Sequence, residues 1–357
     1  MRVLFLSAWY PTERDKMSGL FVAKHKEAVE RQGVDVRVVY TEEKGLGYWQ
    51  SMRRQLKALW QEGWKPDVVQ LNVITKNALI ALYLKKRYHI PYIIVEHWSG
   101  YLPENGDYQR MGMLHHLIAR LTVKNATEVF TVSRILGEQM QRQGLKHPHY
   151  SIIPNVVDDF FYSAPSPENR AIGSPKRLLY VGCFDEKAKN VKGMLRALKL
   201  LSEQRQDWHL VIIGTGVARS ECQEYASAIG LPDKLHTWLG EQRPDQVSEW
   251  MHHTDALILF SRYETFGVVA AESLAAGVPV VSSKAGAIPE IVDDACGILT
   301  PVEDEKAFAS ALNQMLDSSE SYDKEYIRQK GQQYSYSHVG QQLKRAYEAS
   351  IKNAPHT

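Results

Sequence analysis

Cysteine is scarce in this 357-residue chain: Cys183, Cys222 and Cys296 are widely separated, with no Cys-x-x-Cys pair. That leaves no basis for a disulfide framework or a cysteine-held zinc, and points to a reducing, cytoplasmic setting. Long apolar runs are missing too. The opening MRVLFLSAWYP has only Val3-Leu4-Phe5-Leu6 before Ser7, too short for a signal-peptide core and far below the roughly 18 residues that span a bilayer. It reads as a first strand. Neither sign of charge dominates, since 43 Lys and Arg stand against 41 Asp and Glu, which excludes a dedicated nucleic-acid binder. The distribution is uneven: residues 1–160 hold 22 basic and 16 acidic side chains, and residues 161–357 hold 21 and 25. The basic half suits an acidic partner or an anionic membrane, and equally a chance spread of solvated charge. No Asp-x-Asp dyad is found. Asp158-Asp159 and Asp293-Asp294 are adjacent pairs that read as turn or cap residues, and Met251-His252-His253 fits a helix C-terminus. No metal is expected.

With 44% hydrophobic and 24% charged residues the chain is ordinary globular material, long enough for two domains with a core each. Short β-rich runs alternate with helical patterns: 2–10, 34–40, 67–72, 92–97, 128–133 and 150–155 in the first half, then 177–183, 209–216, 234–240, 255–260, 278–283 and 296–300. Strands alternating with helices imply βαβ units, and strands apolar on both faces imply parallel sheets. The expected class is therefore α/β, with two Rossmann-like domains. The stretch 161–176, FYSAPSPENRAIGSPK, has the Pro, Gly and Ser content of a connector. The domains expected are 1–165, 176–335 and a C-terminal helical tail, 336–357, whose Val339, Leu343, Tyr347 and Ile351 require a groove.

Open parallel sheets bind ligands at the carboxyl ends of their strands. Those ends include Ser7 to Tyr10, His97 and Ser133 in the first half, and Gly182, Gly214-Thr215-Gly216, Gly240 and Ser261 to Glu264 in the second. Two such sheets facing each other across a cleft suit a substrate of two parts. The richest segment is 261–292, SRYETFGVVAAESLAAGVPVVSSKAGAIPEIV. A helix starting near Thr265 or Phe266 would offer the N–H groups of Thr265, Phe266, Gly267 and Val268 to an anion, with Gly267 permitting close approach. Glu264 and Glu272 flank that anion site, and carboxylates there suit a ligand that also carries hydroxyls, as a nucleotide-sugar does. Taken as a pair alone, Glu264 is as well explained by helix-end electrostatics and Glu272 as a solvated helix residue. The Gly214–Gly216 turn does not continue as a dinucleotide fingerprint, because position 219 is Arg and the turn follows the second strand of its domain.

ETFGVVAAES, LAAGVPVVSS and AGAIPEIV together resemble the signature of the family-4 retaining glycosyltransferases of the GT-B fold. The resemblance extends through VGCFDEKAKNVKGMLRAL, IIGTG, HTDALILFS, IPNVVDDFF, YPTERDKMSGLFV and EHWSGY. It implies transfer of a sugar, with retention, from a nucleotide donor, UDP- or GDP-linked, to a glycan or lipid-linked acceptor in bacterial envelope polysaccharide synthesis. It also implies that the C-terminal helix crosses back to the N-terminal domain. Residue by residue it implies that Glu272 binds the ribose, Glu264 and His97 face the donor sugar, and Lys189 neutralises the diphosphate, with Lys187 and Lys192 as alternatives. Gly182 would border the donor, and the loop of Gly19 would donate N–H groups near the β-phosphate. Where the family has Arg after the strand glycine, this chain has Cys183, read here as a small buried residue. A nucleotide-sugar epimerase and a non-catalytic nucleotide-sugar sensor are the rival readings.

Residues 49–64, WQSMRRQLKALWQEGW, place Met52, Leu56, Leu59 and Trp60 at helical spacing beside Arg53, Arg54 and Lys57, with Trp49 and Trp64 at the ends. A packed sheet-domain helix is the first expectation. Peripheral contact with the inner membrane is the second.

Overall fold

The computed structural model describes residues 1–163, 171 and 173–353, so residues 164–170 and 172 of the expected connector and 354–357 of the tail lie outside the described residues. The chain divides into two compact units, Met1–Val156 with Tyr336–Thr357, and Val157–Ser335. The division falls upstream of the 161–176 connector, because the segment after Val156 already belongs to the second unit: Val157 N–H donates to Tyr334 O at 2.9 Å and Phe161 is buried.

In the first unit the strands are β1 (Arg2–Ser7), β2 (Asp35–Val39), β3 (Val68–Asn72), β4 (Tyr92–Glu96), β5 (Glu128–Thr131) and β6 (Tyr150–Ile152). They form one parallel sheet in the order β2-β1-β3-β4-β5-β6. Its helices are α1 (Leu20–Glu30), α2 (Gly45–Gln61), α3 (Ala78–Tyr88), α4 (Asp107–Arg110), α5 (Met113–Asn125) and α6 (Arg134–Arg142). Successive strand side chains point to opposite faces. Val3, Phe5, Val36, Val68, Ile93 and Val95 pack on the α1 side, together with Val339, Leu343 and Tyr347 of the C-terminal helix Tyr336–Lys352. Right-handed crossovers carry α2, α3 and α5 to the other face, where the Tyr92 hydroxyl donates to Thr122 O of α5 at 2.6 Å.

The second unit repeats the plan. Its strands are β7 (Lys176–Val181), β8 (Trp208–Ile213), β9 (His236–Gly240), β10 (Ala256–Leu259), β11 (Val280–Ser283) and β12 (Gly297–Thr300), all parallel, in the order β12-β11-β10-β7-β8-β9. The helices are α7 (Glu186–Lys189), α8 (Val191–Ser202), α9 (Arg219–Ala228), α10 (Pro244–His252), α11 (Val268–Ala276), α12 (Ile288–Ile291), α13 (Glu305–Ser318) and α14 (Lys324–Gly331), and the C-terminal helix is α15. A core of Leu178, Tyr180, Leu195, Trp208, Ile258 and Phe308 joins the sheet to α8 and α13. The strand order reverses between β7 and β10, and the loops after those two strands therefore leave the sheet in opposite directions and open a crevice. Among the described residues no helix is long and apolar enough to cross a membrane.

Candidate functional site

The β7/β10 reversal brings together two residues far apart in sequence. Lys189 ends the single turn α7, which Asp185 caps by accepting from Lys187 N–H at 3.0 Å. Glu264 lies in the loop after β10. The Lys189 ammonium donates to Glu264 Oε1 at 2.5 Å, with side chains 21% and 12% exposed, and Ser261 Oγ donates to the same oxygen at 2.8 Å. Burial alone would depress the Lys189 pKa, but the Glu264 carboxylate outweighs it and holds the ammonium above the ordinary lysine value. Of the two alternative lysines, Lys187 is exposed, and Lys192 pairs with Glu221.

The loops carrying this pair are fastened to one another. Arg262 N–H donates to Ala188 O at 2.7 Å, its guanidinium reaches Glu186 O and Asn190 Oδ1, and Nε meets Glu303 at 2.6 Å. From the end of β11, Ser283 Oγ donates to Ser261 O at 2.6 Å, and from the loop that follows, Ala287 N–H donates to Glu264 O at 3.0 Å. Gly286 presses on the same loop: a Cβ there would stand 2.1 Å from Glu264 O. Ser261, Arg262 and Gly286 thus position Glu264. For Ser261 and Arg262 only the placement of 261–264 at a strand end hinted at this, and Gly286 stood only within the AGAIPEIV resemblance, with no role assigned.

The helix after Glu264 begins at Val268, later than the Thr265 or Phe266 start expected from sequence. The Phe266 ring is buried edge-on against Tyr334, centroids 5.5 Å apart. Gly267 after it is the physical reason for the later start: its left-handed backbone cannot belong to a right-handed helix, so the helix starts after it. The first-turn N–H groups that lack intrahelical partners therefore begin at Val268 rather than at Thr265. Gly267 is the N-cap at φ 92°, and a Cβ there would meet Ile288 Cδ1 at 2.6 Å. Its smallness serves a left-handed turn and a close packing contact. Glu272 sits half-buried in the second turn of α11. Gly182 follows β7, and its N–H donates to Ile213 O at 3.1 Å. Cys183 beside it is exposed, contrary to the buried residue expected, because it stands past the last sheet residue; Cys222 and Cys296 are the buried ones.

In the first unit, Gly19 caps α1 at φ 63°, where a Cβ would stand 2.3 Å from Trp9 O, so the loop after β1 folds directly onto the helix start. His97 follows β4, is 8% exposed, and stacks on Phe21 with centroids 4.0 Å apart. The Asn155 side chain stands beside its ring, but neither ring nitrogen makes a hydrogen bond of good geometry among the described residues. Burial, reinforced by His25 at 5.4 Å, holds the His97 imidazole well below the usual histidine range and so neutral. Glu96 beneath it is fully buried and accepts from the N–H groups of Ile74, His97 and Trp98 at 2.9–3.0 Å. Burial still pushes its carboxyl up to about 7. Ser133, at the end of β5, accepts from Leu136 N–H as the N-cap of α6.

Two family descriptions match the chain: "Glycosyl transferase 4-like domain" over residues 5–156 and "Glycosyl transferases group 1" over residues 165–333. A D-inositol 3-phosphate glycosyltransferase of Corynebacterium kroppenstedtii is 27% identical over 58% of this chain and 51% of its own. A lipopolysaccharide 1,6-galactosyltransferase of Escherichia coli is 25% identical over 72% of this chain and 67% of its own. The match thus spans only about half to two thirds of these curated relatives' length. Anabaena HepE in complex with UDP superposes with a TM-score of 0.75 at 15% identity, covering 98% of this chain and 100% of that one. With both units matched in sequence and the whole matched in fold, the chain belongs to the group 1 glycosyltransferases, family 4, of the GT-B fold.

Proposed function

We propose that the protein transfers a sugar, with retention of anomeric configuration, from a UDP- or GDP-linked donor to a glycan or lipid-linked acceptor. The observation that carries this reading is the Lys189–Glu264 pair at the β7/β10 reversal, one turn from the N-terminus of α11. A cation beside a carboxylate suits a ligand that joins a diphosphate to a polyol. In this reading the Lys189 ammonium exchanges part of its contact with Glu264 for the diphosphate and neutralises the charge that builds as the sugar–phosphate bond breaks. Glu264, released from part of that contact, accepts from donor-sugar hydroxyls, and Glu272 from the ribose. Neutral His97 adds a hydrogen bond to the sugar rather than a charge. The leaving phosphate takes the acceptor's proton, so no separate side-chain base is required. Metal independence belongs to the same reading, because Lys189 supplies the positive charge. The UDP named with HepE and the lipopolysaccharide named for the Escherichia coli relative support a uridine donor and an envelope acceptor.

Incubation with UDP- and GDP-sugars, with and without glycan or lipid-linked acceptors, followed by mass spectrometry, tests the reading. A product heavier by one sugar, axial by NMR from an axial donor, and formed in EDTA supports it. Donor interconverted without acceptor points instead to an epimerase, and binding without turnover to a sensor.

A further inference from the structure

The face of the first unit made by α2, α3 and α5 has an unusual composition. These three helices carry eight Lys and Arg and no Asp or Glu. All eight cations except Lys85 are exposed. Between them stand large apolar side chains open to solvent: Leu46 at 80% exposure, Tyr83 at 55%, and Met113, Leu114 and Leu117 at 89%, 69% and 53%. The α5 residues recur at helical spacing and leave Ala119, Thr122 and Val123 to face the sheet. The outer side of α5, which a core helix would keep polar, therefore presents large apolar side chains. A groove of about 620 Å³ runs between α2 and α3, walled by Met52, Leu56, Trp60 and Leu84 with Arg53 and Lys57 among its lining residues. Trp64, expected from sequence as an interfacial end residue of α2, is instead buried, its indole N–H donating to Asp35 at 2.7 Å.

We infer that this face docks on an anionic lipid bilayer. The apolar side chains of α5 and the rim of the α2/α3 groove enter the acyl boundary, and the cations of all three helices meet the headgroups. Charge decides among the possible occupants. A second copy of this chain, related by a two-fold axis, would set the eight cations of these helices against eight more, with no carboxylate on the helices themselves and only Glu43 and Glu62 at the ends of α2 to offset them. Nucleic acid would satisfy the cations but leave Met113, Leu114 and Leu117 with nothing to bury against. Only a surface that is both anionic and apolar a few ångströms below accounts for the two features together.

Flotation of the full chain with vesicles of phosphatidylcholine alone, and of phosphatidylcholine mixed with phosphatidylglycerol, tests this. Binding is expected only to the mixed vesicles, and to weaken as salt rises. Arg53→Gln with Lys57→Gln should weaken it roughly fivefold per charge removed. Leu114→Ser with Leu117→Ser should weaken it at least ~10-fold, while circular dichroism and melting stay as in the parent because both positions are exposed. Equal binding to the two vesicle types, no binding to either, or binding untouched by both double variants overturns the inference. So does a dimer in sedimentation equilibrium that the α5 variant dissolves, or an oligonucleotide that binds more tightly than the vesicles.

Discussion

Lys189 Nζ and Glu264 Oε1 meet at 2.5 Å although 75 residues separate them, because β10 inserts beside β7 rather than beyond β9. Each residue closes the loop that follows its own strand. The pair therefore reports the strand order directly: any sheet order that parted β7 from β10 would part these charges.

Removing either partner separates its structural from its proposed chemical role. Lys189→Ala leaves Glu264 with Ser261 as its remaining donor, in a place only 12% exposed. Stability should fall by less than the ~3–5 kcal/mol of a fully buried pair, since both side chains retain some water. Turnover should fall by roughly 100-fold or more, the scale for deleting one group that stabilises developing charge, with a smaller change in KM. Glu264→Gln keeps the Ser261 hydrogen bond and should raise KM for the donor sugar more than it changes the melting temperature. Urea denaturation beside steady-state kinetics checks both. Unchanged turnover in a folded Lys189→Ala protein removes Lys189 from the reaction.

The buried histidines set a pH limit on the first unit. His25 lies beside Pro154 O at 3.0 Å, and burial pushes its imidazole down from 6.5 to about 4. The unfolded chain takes up this proton near pH 6.5, whereas the folded chain refuses it until about pH 4. The contribution to stability is thus fully present above pH 6.5 and is lost as the pH falls toward 4, by ~3 kcal/mol in total at about 1.4 kcal/mol per pH unit. Glu96 acts in the opposite sense. Its carboxyl is raised from 4.5 to about 7, so its ionisation costs the folded state stability as the pH rises through that interval. Comparing the parent with His25→Gln cancels the Glu96 contribution. The difference in urea midpoint should be flat above pH 6.5, and below it the parent should lose stability relative to His25→Gln; a constant difference from pH 7 to 5 would show that His25 takes up a proton while folded.

All twelve strands were readable from sequence, because a parallel strand buried on both faces must be an apolar run and the intervening segments are long enough only for crossover helices. The strand order was not readable. Nothing in VGCFDEKAKN or SRYETFG states that these loops adjoin, so Lys189 and Glu264 could be named separately but not paired, and Arg262 and Gly286 could not be assigned to their support. Phe266 shows the same limit on a smaller scale: its burial against Tyr334 depends on a residue 68 positions away. The apolar pattern of α5 fits a packed helix equally well until the sheet shows which side is already covered.

Cys183 offers a gain-of-function test. It is exposed at the end of β7, and the guanidinium that arrives from the β10 loop, Arg262, is held by Glu186 O, Asn190 and Glu303. Cys183→Arg should therefore add a cation where the family resemblance places one. Because the position is solvent-exposed, UDP affinity should rise only about two- to fivefold, and the gain should fade as salt is added. Isothermal titration with UDP measures it, and identical affinity in parent and variant at low salt would place the diphosphate elsewhere.

Gly340 marks where α15 comes closest to α1. A Cβ on it would stand 2.2 Å from Ala28 O and 3.1 Å from Gln32 Cγ, so the two helices approach at a distance that only glycine allows. Around that point Val339, Leu343 and Tyr347 are fully buried, Ile351 is half-buried, and the Tyr347 hydroxyl donates to Gln70 Oε1 at 2.5 Å. Arg31 stacks over Tyr336 at 3.9 Å, and Lys344 donates to Gln32 O at 3.0 Å. In an exposed helix interior Gly→Ala would stabilise by up to ~1 kcal/mol. Here the sign should reverse: Gly340→Ala pushes α15 off α1 and should cost about 1–3 kcal/mol, the range for overpacking a core. Deleting residues 336–357 should cost more, because each large apolar side chain lost from the groove is worth about 1.5–3 kcal/mol before the entropy of ordering the helix is subtracted. Hydrogen exchange resolves where the loss falls: β1, β2 and α1 should lose protection in both variants, while β7, β8 and β10 keep theirs. Uniform loss across both units, or a melting temperature for Gly340→Ala at or above the parent's, would mean that α15 does not hold α1 at this distance.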